Sequence, residues 1–305
     1  AIGLGTGTES LGVPDIGSDA LLSALGDVRV GEAGTGSIYV FGQLLTGTTT
    51  IGDGSNSHGL VNCEDAAALW LNLGDLRLAL GGTGMLSVTD GAVVVTAGDL
   101  AAAILNGSQG TLTLDGVGSA IQIDGRAWLG GDEDGPGGVL TATITDTAVF
   151  DVADELRIWS GAALTATDAI VEARELHVTG GYVELNDGAA AISNIGAAAQ
   201  PGLFVAINDG NGVVSVTEGG RLLTTSATIG GATGATALVS VEESDSFFHV
   251  DSFVLLGWEP VPWGRTSGEA RLQAVDGGVV EIDGMLTIRQ GCILRLDNGE
   301  VIAEV

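Results

Sequence analysis

Along this chain apolar and polar positions alternate in short runs that end on glycine. GSIYV (36–40), GLVNC (59–63), GMLSV (84–88), GTLTL (110–114), GVVSV (212–216) and EARLQAV (269–275) each place apolar residues on one side and polar or small ones on the other. That period of two is the pattern of a half-buried strand. A second phrase falls between them, at GDVRVG (26–31), GDLRLAL (74–80), GRAWLGG (125–131), DELRIWSG (154–161), ARELHVTG (173–180) and SFVLLG (252–257). It reads polar, apolar, polar or Arg, apolar, then a turn.

The onsets Gly36, Gly59, Gly84 and Gly110 recur every 23 to 26 residues, and a fixed period of this size marks a solenoid. The pattern predicts an all-β fold, a right-handed parallel β-helix or β-solenoid of roughly ten coils, each ~25 residues long and stacked ~4.8 Å apart. Corners between short strands need residues that accept positive φ. The pairs at 180–181, 219–220, 230–231 and 277–278 are the strongest corner candidates. Residues 26–305 form a single solenoid domain in this reading, and residues 1–25 an N-terminal arm. Within that arm SDALLSALG (18–26) is amphipathic enough for a short helix capping the first coil.

GTLTLDGVGSAIQIDGRAWLG (110–130), ALWLNLGDLRLAL with its Trp70, and NGVVSVTEGGRLLTTSATIG (211–230) resemble the repeats of PEP-CTERM and type V secretion (autotransporter) associated proteins. Ile121 stands where those repeats usually carry Trp. The resemblance covers residues 26–131 and 202–291, while 132–201 departs from it in spacing. It implies a secreted or autotransported bacterial protein with a β-helical body, located at the surface, and it implies no particular chemistry.

Composition narrows the function classes. Thirty-nine acidic residues face ten basic ones, all arginine, for a net charge of −29. A phosphate-tracking surface needs clustered cations, so nucleic acid is excluded as a partner. No apolar run reaches the ~20 residues of a membrane-spanning helix, so no membrane insertion of this chain is expected. The chain begins at Ala1 with no charged or apolar leader, which reads as an extracellular or cell-surface protein after signal-peptide removal. Cys63 and Cys292 lie far apart in sequence and are read as free thiols or an intermolecular pair, not an intramolecular disulfide.

Chemistry is thinly signalled. Asp132, Glu133 and Asp134 in GGDEDGPGG (130–138) form the densest acidic loop and the leading calcium candidate, ahead of GDGSNSHG (52–59), although the spaced ligands of a calcium loop are missing. No other cofactor is expected. His58, His177 and His249 are isolated in sequence and read as turn or outward-facing residues. No serine elbow, phosphate loop or zinc spacing occurs, so no catalytic residue is assigned. Trp258 and Trp263, in LLGWEPVPWGRTSG (255–268), are the candidate contact for a glycan or a cell surface.

A solenoid leaves an open strand edge at each end unless something covers it. Ala1, Ile2, Leu4, Leu11 and Val13 of the arm, with Ile302 and Val305 of the last strand, are the assembly candidates. The favoured reading is a secreted, non-enzymatic structural protein whose partner is itself, a head-to-tail homopolymer forming an extracellular filament or surface layer. An adhesin passenger binding glycans or cells is the alternative, and a polysaccharide-processing enzyme the third.

Overall fold

The computed structural model describes residues 2–4, 11–12, 15–193, 202–207, 210–231, 234–257 and 268–303, of which 2–4 and 11–12 as backbone. Among them every regular element is a β-strand. The chain divides into two compact units, 1–154 and 155–305, each of which is a parallel β-helix.

In the first unit each coil runs as one long strand and two short ones. Thr35–Val40, Gln43–Thr46 and Thr49–Ile51 make one coil. His58–Glu64, Leu69–Asn72 and Leu76–Leu78 make the next. Thr83–Thr89, Val93–Thr96 and Leu100–Ala102 follow. Every strand pairs in parallel with its counterpart one coil away, so equivalent residues stack in columns. Gly36, Gly59, Gly84 and Gly110, the onsets that set the sequence period, are one such column. A Cβ at Gly84 would sit 2.4 Å from Ala79 N and 2.8 Å from Ile51 O, so the coil closes there only without a side chain.

Alternation then decides what is inside. Ile38, Val61, Leu86 and Leu112 form an inward column exposed by 2% or less, and Leu44, Trp70, Val94, Ile121 and Phe150 form another. Burying a side chain of this size contributes about 1.5–3 kcal/mol, and it does so only because the next rung covers it.

The second unit repeats the scheme. Tyr182–Asn186 pairs with Gly212–Val216, which pairs with Thr236–Glu242, then Glu269–Val275 and Ile293–Asp297. On the other sheet Arg221–Ile229 pairs with Phe247–Leu256. The leading glycines of the four pairs, Gly180, Gly219, Gly230 and Gly277, all have positive φ, between 76° and 100°. At 277–278 the roles divide: Gly277 makes the turn, and a Cβ on Gly278 would meet Val241 O at 2.2 Å.

The N-terminal expectations need correction. Residues 18–26 hold no helix: Leu21–Ala24 is a strand in register with Gln43–Thr46. The hydrophobic spacing of Leu21, Leu22 and Leu25 suits a helix, but the neighbouring coil offers a strand edge, and tertiary pairing overrides local preference. The described strands of the arm pair with the first coils as well. Ile2–Leu4 pairs in parallel with Val28–Val30, Leu11–Gly12 with Thr35 and Gly36, and Asp15–Ile16 with Tyr39 and Val40.

Candidate functional site

The acidic loop at 130–138 is a departure from the coil. Gly131–Asp132 and Gly135–Pro136 pair antiparallel as a small hairpin, anchored by a bridge from Gly131 to Ala102. Asp132 is half-buried, Glu133 and Asp134 are exposed at the tip, and Asp134 N donates to Asp132 Oδ1 at 3.0 Å. The chain returns to the coil where Gly138 N donates to Ala103 O at 2.7 Å.

The hairpin overhangs the flank of three rungs, whose outward column is Arg77, Ala101 and Trp128. Between them lies a cleft of about 290 Å³ lined by Asp75, Arg77, Asp99 and Trp128 together with Asp132, Glu133 and Asp134. Asp75 and Asp99 occupy equivalent corners before their strands. Asp99 N donates to Asp75 Oδ1 at 3.3 Å, and Arg126 N to Asp99 Oδ1 at 2.8 Å, so each carboxylate ties one rung to the next. Arg77 Nη2 lies 3.6 Å from Asp75 Oδ2. Five carboxylates against one guanidinium attract a cation, and their oxygens suit a hard ion or the hydroxyls of a polyol. The charged groups of the lining are these carboxylates and the one guanidinium.

The structure corrects the reading of two histidines. His58 is exposed at the start of its strand, as expected. His177 is only 7% exposed. Its ring stacks on Phe204 at 4.3 Å, Nε2 lies 3.0 Å from Glu175 Oε2, and Nδ1 is buried without a hydrogen-bond partner. Burial pulls the His177 pKa below its ordinary value, against the opposing pull of Glu155 and Glu175. Glu155, Glu175 and His177 bring their ligating atoms within 4.8 Å of one another, but Arg157 Nε, 2.6 Å from Glu155 Oε1, already supplies a positive charge. Nor is His249 isolated: both ring nitrogens face carboxylates. These clusters are not visible in the sequence because part of each comes from another coil.

The other sequence candidates scatter. Ile302 lies on an outward column, stacked in register on Glu281 and 44% exposed. Ala1, Val13, Trp258, Trp263 and Val305 lie outside the described residues, and Ile2, Leu4 and Leu11 lie in the backbone pairings given above. Cys63 is fully buried and Cys292 half-buried, both as free thiols. Burial pushes the Cys63 thiol up to about 12.

Neither a protein-family model nor a curated protein matches the chain. Among solved structures it is similar to the crystal structure of the TibC-catalyzed hyper-glycosylated TibA55-350 fragment, at 17% identity over 97% of this chain and 98% of that one, with a TM-score of 0.27. The parallel β-helix is defined by the register of the chain's own strands.

Proposed function

We propose that the chain is a secreted, non-enzymatic structural β-solenoid that self-associates by stacking open coils. The observation that carries this reading is the contrast between successive rungs of the second unit. Ala274 and Leu256 are fully buried, while their in-register successors Leu296 and Ile288 are 53% and 44% exposed. Met285 and Ile293 add further open apolar surface, at 66% and 46%. In the first unit Leu22 is 36% exposed against 2% for Leu44, on which it stacks. Each such rung carries apolar side chains that its described neighbour leaves uncovered, which is what a further rung, supplied by a second copy, would cover. A contact between two different rungs is heterologous, and such a contact builds an open filament wherever its rotation does not close a ring. The charge of −29 opposes lateral clumping and leaves end-on stacking as the favoured contact.

Sedimentation velocity and negative-stain microscopy of the 305-residue chain, beside Leu296→Asp and Ile288→Asp, test the reading. Concentration-dependent rods in the parent that are lost in both variants support it. A parent that stays monomeric at every concentration and salt level refutes it.

The cleft beneath the 131–136 hairpin favours a second reading, an adhesin whose flank binds calcium or glycans. Calorimetric titration of calcium and of glycans into the parent and Asp132→Asn separates the two.

A further inference from the structure

The phrases His-Val-Asp (249–251) and Glu-Ile-Asp (281–283) lie one coil apart. Residues i and i+2 of a strand share a face, and the parallel register sets His249 against Glu281 and Val250 against Ile282. Asp283 N donates to Val250 O at 2.9 Å, which carries the match one residue further. Four side chains of metal-ligating type therefore stand as a two-by-two grid on the outer face. The ring of His249 also stacks on Phe247, with centroids 5.8 Å apart.

The geometry within the grid is directional. His249 Nδ1 lies 3.2 Å from Glu281 Oε2, while Nε2 lies 2.9 Å from Asp251 Oδ1 and 3.8 Å from Asp283 Oδ2. A neutral imidazole has one N–H and one lone pair. If Nδ1–H donates to Glu281, the Nε2 lone pair faces two carboxylates, and a positive species must stand between them. Two ligand atoms, each ~2.1 Å from a tetrahedral ion, lie ~3.4 Å apart; the observed 2.9 and 3.8 Å bracket that separation.

We propose that His249, Asp251 and Asp283 form a binding site for a first-row divalent transition metal of the zinc class, with Glu281 as the carboxylate that orients the imidazole. An imidazole ligand selects against calcium and magnesium, which take oxygen donors. The side chains of His249, Asp251 and Asp283 are 23%, 58% and 53% exposed, so the ion is reachable from solvent. Three protein ligands leave a tetrahedral ion one open position, suited to water or to a donor atom from another molecule. Glu281 is a positioning residue: it acts through His249 and sets its tautomer.

The test is calorimetric titration of Zn²⁺ into the chelator-stripped 305-residue chain, with calcium in excess to occupy all-oxygen sites, repeated on His249→Ala, Asp283→Asn and Glu281→Gln. One zinc site per chain is expected in the parent and none in His249→Ala or Asp283→Asn. Glu281→Gln is expected to bind about ten- to a hundredfold more weakly. Superimposable isotherms for parent and His249→Ala overturn the proposal. So does ¹⁵N NMR of the parent if both His249 ring nitrogens remain protonated on zinc addition, because a second proton then fills the gap. The NMR measurement needs no variant and decides the matter should a substitution fail to fold.

Discussion

Asn72 sits in an inward column of the first unit that reads Ala24, Thr46, Asn72, Thr96, Ile123 and Val152, all 8% exposed or less. Its Oδ1 accepts from Thr46 Oγ1 at 3.0 Å and Thr49 Oγ1 at 2.8 Å, and its Nδ2 donates to Gly74 O at 2.7 Å. Thr46 in turn accepts from Trp70 Nε1 at 2.8 Å, which satisfies the indole of the largest buried side chain. One rung on, the Thr96 hydroxyl is buried with no partner. The column thus holds a satisfied polar network and an unsatisfied hydroxyl in equivalent positions.

Asn72→Ala removes an acceptor shared by two hydroxyls. Thr46 and Thr49 stand 3.1 Å apart and can pair with each other, and Gly98 N still reaches Gly74 O at 3.2 Å. One buried hydroxyl proton is orphaned and a small void is left, for a cost of about 2–4 kcal/mol. Thr96→Val keeps the shape and deletes a hydroxyl that had no partner, so it stabilises by ~1 kcal/mol. Urea unfolding followed by far-UV circular dichroism reads both. Comparing midpoints under one protocol avoids assuming that a chain of two units unfolds in a single step. Opposite shifts are expected. If Thr96→Val costs as much as Asn72→Ala, the column is held by volume alone and the pairing argument fails. The second unit gives an internal check: Ser193 Oγ donates to Thr224 Oγ1 at 2.9 Å, which donates to Ser226 O at 3.0 Å. Thr224→Val should therefore destabilise, unlike its counterpart at 96.

Two further outcomes follow from buried titratable groups. The thiolate is the reactive form of cysteine, so a thiol-specific chromogen at mildly alkaline pH should label Cys292 in the native chain and leave Cys63 untouched until urea is added; equal native rates would contradict the burial of Cys63. His177 is held neutral by desolvation, whereas in the unfolded chain it takes up a proton as pH falls through about 6.5. The stability that neutral His177 allows is therefore complete above that pH and is lost as pH falls towards its lower folded value. His177→Gln should flatten the loss between pH 7 and 5, and an unchanged slope would place the acid sensitivity elsewhere.

The coil was legible in the sequence because it is written in short-range terms. Strand alternation and the period of Gly36, Gly59, Gly84 and Gly110 are local patterns, and each became a column in the structure. What escaped was whatever depends on a neighbouring rung. Leu21–Ala24 looked helical until the edge of Gln43–Thr46 was there to pair with it. The acidic run 132–134 was visible, but not the cleft it closes, since Asp75, Arg77 and Asp99 reach it from other coils. His249 looked solitary because Glu281 and Asp283 follow more than thirty residues later. The one available signal was the repeated spacing of His-Val-Asp and Glu-Ile-Asp at a coil's distance.

Columns also explain how such a chain can change its surface without disturbing its core. From Gly110 to its partner Leu140 the spacing is longer than between the earlier glycines, because the hairpin 131–136 has been added to that coil. Leu112 and Ala142 nevertheless stay in register and buried. Length added at a corner is absorbed outside the strands, while a slip of one residue inside a strand would exchange its two faces. At the metal grid such a slip would set Val280 or Ile282 beside His249 in place of Glu281 and turn charged residues inward. Binding groups on this fold are therefore set by register and tuned by corners, so insertions in the turn between Met285–Ile288 and Ile293–Asp297 should leave zinc binding at His249 intact, whereas a single deletion within Val279–Ile282 should abolish it together with the packing of Val280.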